Sequence, residues 1–291
     1  MSRLPRTGHA LSRLVLLAAL VAAGCGGPYQ VDLADVPPAP PAPPTQPGAS
    51  TGTFTWDCGR NAEGHRNADN MIASPGERGA AHHVHDYVGN LSTDATSTDA
   101  SLAGAATTCG NGDLSTYYWP VLRTGEPHHG PIRPPTSVRL VYHGNPTSPV
   151  LPLPRFTRAS TGDAKGGPLV RASWTCEGRT DRLTTKYPKC KKETFRVYDF
   201  PSCWDGRRTD SPNHRDHLVF PAANGACPPS TFAVPRLRMT VSYDLRGAEY
   251  SIDTFPELKG DPRTDHADLV TVLPDPLTAT VVSCLNSGRN C

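Results

Sequence analysis

The chain has 291 residues, among them 31 prolines and 26 glycines, and a formal net charge of +2. Because proline breaks helix interiors, and because no window longer than about ten residues has clean apolar spacing at i, i+3, i+4 and i+7, this composition argues against a helical fold. Without Arg3, Arg6 and Arg13, which fall in a cleavable leader, 26 basic side chains face 27 acidic ones. We therefore expect no nucleic-acid partner.

Residues 1–24 have the pattern of a secretory signal peptide. Arginines precede an apolar core at 14–23, and small residues stand directly before Cys25. This order is typical of a bacterial lipobox, in which the cysteine is lipidated and becomes the mature N-terminus. Cleavage as a plain signal peptide is the alternative. We expect an exported lipoprotein, anchored to the outer face of the cell membrane through Cys25.

The segment that follows, residues 25–50, is rich in proline. It contains the run VPPAPPAPPTQPGAS. Such chains form semi-rigid polyproline spacers of about 3 Å per residue, so about 20 residues would hold a domain some 60 Å from the membrane. The sequence therefore predicts a tether over 25–50 and a single β-rich domain over 51–291.

A histidine-rich segment lies early in this domain, after an entry strand expected near Phe54 and Trp56. On an extended chain His83 and His85 project from one face and Asp86 from the other. An H-x-H pair offers two imidazoles to one metal ion, and it also occurs by chance in loops.

Three adjoining aromatic residues, Tyr117, Tyr118 and Trp119, come next in an aromatic-poor chain. Aromatic rings present flat apolar faces on which the C–H face of a sugar can pack. Core packing is the preferred interpretation for at least two of the three, and Tyr117 is the candidate for stacking on a sugar.

Five segments read as β-strands, because they alternate in polarity or are rich in β-branched residues and are separated by turn signals. They are residues 138–142, 170–175, 195–198, 237–243 and 278–282. Several strands joined by long loops predict a mainly β fold, a single disulfide-rich β-sandwich or jelly-roll-like domain with long ordered loops.

The stretch FPSCWDGRRTDSPNHRDHLVFP, residues 200–221, concentrates polar groups, and we call it the signature loop. Gly206 and Pro212 interrupt any helical or strand pattern in it, so its polar groups need partners from elsewhere in the fold. Within it, Asp205, His214 and His217 are candidate site residues. A later segment, Asp265-His266-Ala267-Asp268, would aim His266 and Asp268 the same way if extended.

Nine cysteines are present. If Cys25 carries lipid, eight remain, and an even number in an exported chain indicates disulfides. No C-x-x-C spacing occurs, so we expect no zinc–cysteine site. Pairing sequence neighbours predicts Cys58–Cys109, Cys176–Cys190, Cys203–Cys227 and Cys284–Cys291.

The signature loop resembles the F-P-S-C-W-D-G and D-S-P-D-H-x-x-H motifs of the family DUF1996, secreted proteins of fungi and actinobacteria. The resemblance covers most of residues 55–291, and it includes the H-V-H at 83–85 and the H-A-D at 266–268. Departures are Tyr118 in place of the family's Trp, Asn213 in place of an acid, and a missing N-G-W after Asp268. The resemblance implies an exported domain and no particular reaction.

Two enzyme hypotheses follow for this chain. In the first, it is a hydrolase acting on a polysaccharide, because glycoside cleavage needs a carboxylic acid and a second carboxylate. In the second, one divalent metal ion, zinc or copper, is bound with an open position for water. Candidate catalytic residues are Asp86, Asp205, Asp268, His85 and His214, with Trp204 or Tyr117 stacking on a sugar. Candidate metal ligands are His83, His85, His214, His217 and His266, with Asp268.

A hypothesis of another class is a non-catalytic glycan-binding or cell-envelope module. A disulfide-rich β fold on a lipid-anchored stalk suits this role, and its aromatic residues need no catalysis beside them. In that case the His and Asp side chains are structural and mainly satisfy one another.

Overall fold

The computed structural model describes Met1 and residues 29–291, so the predicted signal peptide and the predicted lipidation of Cys25 lie outside the described residues. The described chain is mainly β. Its strands are β1 (Gln30–Val31), β2 (Thr53–Trp56), β3 (Arg66–Asn67), β4 (His85–Gly89), β5 (Thr116–Pro120), β6 (Leu122–Thr124), β7 (Ile132–Arg133), β8 (Ser137–His143), β9 (Arg158–Gly162), β10 (Trp174–Cys176), β11 (Tyr187–Pro188), β12 (Thr194–Asp199), β13 (Cys203–Trp204), β14 (Leu218–Val219), β15 (Phe232–Ala233), β16 (Arg236–Tyr243), β17 (Tyr250–Ile252) and β18 (His266–Val270). Its helices are α1 (Asp99–Ala103) and α2 (Asp275–Asn286), with 3₁₀ turns at Leu33–Asp35, Pro256–Leu258 and Pro262–Thr264.

Two five-stranded antiparallel sheets form the body of the domain. Sheet I has the order β10-β12-β16-β8-β2, and sheet II has the order β3-β4-β5-β18-β9. Non-consecutive strands are neighbours in both sheets, so long connections link the two layers. Smaller sheets, β14-β13-β15, β17-β6-β7 and the parallel pair β1-β11, flank the body. The predicted sandwich-like β class is confirmed.

The main hydrophobic core contains residues of both large sheets. Leu140 and Met239 of sheet I are buried in the same cluster as Trp119 and Leu269 of sheet II. A second, smaller core contains Tyr118 together with Tyr87, Val270, Met71, Ile72, Leu102 and Val272. Because side chains alternate along a strand, sheet II is buried on both faces, and β4, β5 and β18 have no exposed residue.

The four predicted disulfides are all present: Cys58–Cys109, Cys176–Cys190, Cys203–Cys227 and Cys284–Cys291. The strand predicted at residues 278–282 is wrong, because this segment lies in helix α2. Its β-branched residues suggested a strand, but Leu277, Val281 and Leu285 repeat every four residues and pack into the main core. The predicted strand at 170–175 begins late, at Trp174.

Residues 29–50 lie along the domain, which corrects the prediction of a free spacer over this segment. Gln30 and Val31 pair with β11, and Leu33 and Val36 are buried. Further on, the Ala39 amide donates to the Asp181 carbonyl at 2.6 Å. The sequence does not predict these contacts. A proline-rich chain has few amides that can donate hydrogen bonds, but its backbone carbonyls can still accept them.

The signature loop is fastened to the outer edge of sheet II. Three successive outward carbonyls of edge strand β9 accept from it: Arg158 from His217 Nε2 at 2.7 Å, and Ser160 and Gly162 from Arg215 at 2.8 and 3.2 Å. An uncovered edge strand would leave these acceptors free to pair with another chain. The loop therefore covers the edge of the sheet that carries the histidines.

Candidate metal centre

Two histidines enter the site because their strands begin at the same level of sheet II. His85 opens β4 and lies opposite Pro120 of β5. Asp268 of β18 lies opposite Tyr118, so His266, two residues earlier, reaches the level of Pro120 from the other side of β5. Both imidazoles project to the face of the smaller core, as Tyr87 and Val270 do. His83, two residues before His85, joins them from the segment that leads into the strand.

The three imidazoles converge on one point through their Nε2 atoms. His83 Nε2 lies 3.0 Å from His85 Nε2 and 3.3 Å from His266 Nε2, and the remaining pair is 3.5 Å apart. His85 is fully buried, and His83 and His266 are 4% and 5% exposed. The centre therefore touches solvent only at its His83 and His266 side.

Backbone carbonyls fix the protonation of two rings. His85 Nδ1 lies 3.0 Å from the Asp69 carbonyl, and His266 Nδ1 lies 2.8 Å from the Thr264 carbonyl. A carbonyl can only accept, so each Nδ1 carries the proton and donates it. In the neutral rings both Nε2 atoms then present lone pairs to each other. Such an arrangement is repulsive without a cation and is the usual outer support of metal-bound histidine.

Burial keeps the imidazoles of His83 and His85 neutral. Burial, with a lesser contribution from the neighbouring His266, lowers the pKa of His85 to about 3. Burial, followed by the charges of His85 and His266, also places the pKa of His83 well below its ordinary value. Neutral imidazole is the form that binds metal ions.

The spacing fits a small tetrahedral ion. Zinc–nitrogen bonds of about 2.0–2.1 Å place tetrahedral ligand nitrogens roughly 3.3–3.4 Å apart, close to the three separations found here. Among the described residues no fourth His, Cys, Asp or Glu completes the set. The grouping of Cys58, Cys109 and Asp113 contains a disulfide, so it offers no thiolate. Three protein ligands with a free fourth position are typical of catalytic zinc.

A cavity of about 430 Å³ adjoins the centre at His83. Its wall also contains Arg123, Asp253 and three further imidazoles, those of His82, His128 and His129. Asp253 Oδ2 accepts from the Val84 amide at 3.0 Å, between the two ligands of the H-V-H segment. This carboxylate therefore helps to hold the segment in place.

Three carboxylates predicted as catalytic lie in separate environments. Asp86 is on the opposite face of β4, where it accepts from Asn61 and Arg66, and burial raises its pKa. Asp205 caps its own exposed turn by accepting from Arg207 and Arg208, and hydrogen bonds to Arg208 lower its pKa despite partial desolvation. Asp268 shares the face of His266, and Ser160 and Asn70 donate to it.

Two histidines of the signature loop lie outside the cluster. His214 Nδ1 faces the Asp210 carboxylate at 2.9 Å. His217 Nδ1 lies 2.9 Å from Ser211 Oγ, while its Nε2 faces the Arg158 carbonyl. Both nitrogens of His217 are thus engaged in fastening the loop. The structure brings together His83, His85 and His266 of the five predicted ligands.

The two aromatic residues predicted to stack on a sugar differ in position. Tyr117 is fully buried in the main core, where its hydroxyl donates to Asp113 Oδ2 at 2.6 Å, so the prediction of a sugar platform there is wrong. Alternation along β5 puts it on the inward face with Trp119. Trp204 is half-buried, and its Nε1 donates to the Arg208 carbonyl at 2.7 Å.

A family model matches residues 70–270, which include all three histidines and the signature loop. The chain belongs to the family described as Domain of unknown function (DUF1996). No curated protein and no solved structure matches it. The four disulfides are typical of an extracellular protein, and within residues 29–291 no helix combines the length and apolar content needed to cross a bilayer.

Two residues beside the centre, Asp253 and His128, were not predicted from the sequence. Asp253 stands alone in its segment, and His128 lies in a Gly- and Pro-rich turn with His129, where imidazoles carry no periodic pattern. Their proximity to His83 comes from tertiary packing alone, so no local signal could have found them.

Proposed function

We propose that this DUF1996 chain is an exported hydrolase with a mononuclear metal centre at His83, His85 and His266, acting on acyl bonds of glycans. The observation that carries the proposal is the convergence of three buried Nε2 atoms, two with bare lone pairs, and no fourth protein ligand among the described residues. A metal ion held this way lowers the pKa of a bound water to about 7 and polarises a carbonyl.

The geometry favours zinc over copper(II). Tetragonal copper(II) sites place opposite ligands about 4 Å apart, twice a metal–nitrogen bond of about 2 Å. The widest Nε2 separation here is 3.5 Å, so no pair of these imidazoles spans an ion. The triangle instead suits one face of a tetrahedron, with water at the remaining apex.

An acyl bond is favoured over a glycosidic bond by the positions of the carboxylates. Glycosidases flank the scissile bond with two carboxyl groups roughly 5–10 Å apart. Here Asp86 lies on the opposite face of sheet II, and Asp205 is in the turn of an edge loop. Of the three predicted carboxylates only Asp268 shares the face of the histidines, so these carboxylates form no pair there. A metal-activated water attacks an ester or amide carbonyl without such a pair.

Export and lipid anchoring through Cys25 remain proposals from the sequence, as does the polysaccharide substrate. The non-catalytic glycan-binding module is the competing function. It predicts retention on insoluble glycan without released product, and no dependence on a metal ion.

Metal binding is the first test. Metal-free protein titrated with zinc against a chromogenic competitor should bind one equivalent, and His85→Ala should weaken binding at least about 100-fold, since it removes one of three ligands from a buried site. His214→Ala is the matched control, because this half-buried histidine of the signature loop lies outside the cluster. Equal losses in both variants, or no stoichiometric zinc in the wild type, would contradict the metal centre.

Activity is the second test. The zinc-loaded protein should hydrolyse 4-nitrophenyl acetate and release acetate from acetylated polysaccharides, and chelation should abolish both. Release of reducing ends without acetate would instead identify a glycosidase. Binding to the polysaccharide with no product of either kind would support the glycan-binding module.

A further inference from the structure

An imidazole beside a carboxylate lies in the cavity that adjoins the metal centre. His83 and His128 both line this cavity of about 430 Å³. A water-filled space of this size can connect them by hydrogen-bonded water.

Asp253 joins His128 to the ligand segment. Its Oδ1 lies 3.3 Å from His128 Nδ1, and its Oδ2 accepts from the Val84 amide at 3.0 Å. Arg123 holds the same carboxylate with two hydrogen bonds of 2.9 and 3.1 Å. Asp253 is 3% exposed, so its position is set by these partners rather than by solvent.

Oxygen atoms face both nitrogens of the His128 ring. Besides the Asp253 carboxylate, Thr254 Oγ1 lies 3.4 Å from Nε2. The side chain is 21% exposed, so the ring borders both the cavity and bulk solvent. Its backbone φ of +66°, and that of +56° at His82 on the same cavity wall, are rare for residues other than glycine and cluster at functional sites.

The other imidazoles of the cavity lack this arrangement. His82 packs its ring against Phe255 at 5.7 Å, and neither it nor His129 has a carboxylate partner in the described chain. Only His128 combines an orienting carboxylate, a place on the cavity wall and contact with solvent.

We propose that His128, oriented by Asp253, is the proton acceptor of the metal centre. The inference rests on the proposed hydrolase function and adds a catalytic residue to it. With a metal ion held by the three histidines, an O–H bond of its water would break and the proton would pass through cavity water to Nε2 of His128, because Nδ1 faces the Asp253 carboxylate. Hydroxide would remain to attack the carbonyl. The imidazolium then releases its proton to bulk buffer, which restores the neutral ring.

The test compares two adjacent histidines in the zinc-loaded full chain. In weak buffer His128→Ala should lower kcat for 4-nitrophenyl acetate about 100-fold, the usual contribution of a positioned proton acceptor, and added imidazole should restore it. His129→Ala, one residue along the same turn, should stay within twofold of the wild type. Both variants should bind zinc as tightly as the wild type.

A second readout does not depend on turnover. In ¹⁵N-histidine-labelled wild type, the ring signals of His128 should shift when zinc is added and again when azide displaces the water, whereas those of His129 should not. This measurement also decides the case if His128→Ala folds poorly.

Two outcomes overturn the inference and leave the proposed function intact. In the first, the wild type is active and His128→Ala is equally active. In the second, His128→Ala loses activity that imidazole does not restore, and the ring signals of His128 do not shift. Absence of zinc binding or of hydrolysis in the wild type overturns the proposed function, and the proton acceptor with it.

Discussion

At His85 and His266, the hydrogen bond made by Nδ1 determines the protonation of Nε2, the nitrogen that faces the cluster. Each Nδ1 donates to a carbonyl, of Asp69 and of Thr264, so each Nε2 keeps its lone pair. Burying two imidazoles whose Nε2 lone pairs face each other costs free energy that a bound cation would repay. The proposed metal centre would thus lower the stability of the metal-free fold.

The metal-free protein should lose stability on acidification. Burial lowers the folded-state pKa of His85 to about 3, against about 6.5 in the unfolded chain. Above pH 6.5 both states are neutral at this residue. Between pH 6.5 and 3 only the unfolded chain takes up the proton, which costs on the order of 5 kcal/mol of unfolding free energy over the whole range. Urea unfolding at pH 7 and pH 4.5 measures the loss.

His85→Gln should make this pH dependence shallower, since glutamine does not titrate. Tyr118→Phe is the control, because this buried neighbour of His85 has a pKa raised by burial far above the range studied. If wild type and His85→Gln lose stability equally between the two pH values, His85 is not buried neutral.

The sequence predicted the alternation at these residues and missed their partners. Period-two spacing correctly put His83 and His85 on one face and Asp86 on the other, because strand geometry is local. Whether an imidazole meets another imidazole or a backbone carbonyl depends on tertiary packing. His217 also lies in a segment rich in His and Asp, but its Nε2 faces the Arg158 carbonyl instead of another imidazole.

At the scale of the elements, strand β9 lies close against β18 at Gly162, which pairs with His266. A Cβ added at Gly162 would lie 2.2 Å from the Asp265 carbonyl oxygen and 2.8 Å from His266 Cα. The absence of a side chain there allows the start of β18, and with it the proposed ligand His266, to lie where it does.

Gly162→Ala should therefore weaken zinc binding at least about tenfold, because β18 must shift to relieve the clash. Gly166→Ala is the matched control. It has a similar φ, +67° against +80°, but the nearest atom to its added Cβ is Thr264 Cγ2 at 3.6 Å. It should cost only the backbone strain of about 1–2 kcal/mol. Calorimetric zinc titration and thermal unfolding of both variants separate the two effects, and equal zinc affinities would refute the role of Gly162.

Secondary-structure elements were predicted correctly where the local sequence pattern and the tertiary packing favour the same element. The strands at 195–198 and 237–243 appear as β12 and β16, since β-branched and aromatic residues there also face the main core. At 278–282 propensity favoured a strand, but four-residue spacing of buried side chains prevailed and gave α2. The local sequence pattern could not predict how the strands pair into two layers, because this pairing depends on long crossover connections.

At the scale of the whole molecule, the disulfides close loops of very different length. Cys58–Cys109 closes 51 residues, and Cys284–Cys291 closes seven. In the chain-entropy account these correspond to about 4 and about 2.4 kcal/mol of stabilisation. Replacing both cysteines of the first pair by serine should therefore lower the unfolding free energy more than replacing both of the second.

Chemical denaturation of the two double variants provides the comparison, with each acting as the control for the other. A larger loss from the C-terminal pair would show that its contacts with β2, rather than loop entropy, determine its contribution. Cysteine order alone permits 105 pairings of eight cysteines. The predicted neighbour pairing, in which each bond closes before the next begins, is the one in the structure.

The docked proline-rich segment limits how far this domain can act from a lipid anchor. Chain pairing starts at Gln30, five residues after Cys25. Five fully extended residues span at most about 17 Å. If Cys25 is lipidated as proposed, the domain would stay in the layer beside the headgroups and search in two dimensions, and the proposed substrates would be polymers that reach the membrane surface rather than those held farther out in the envelope.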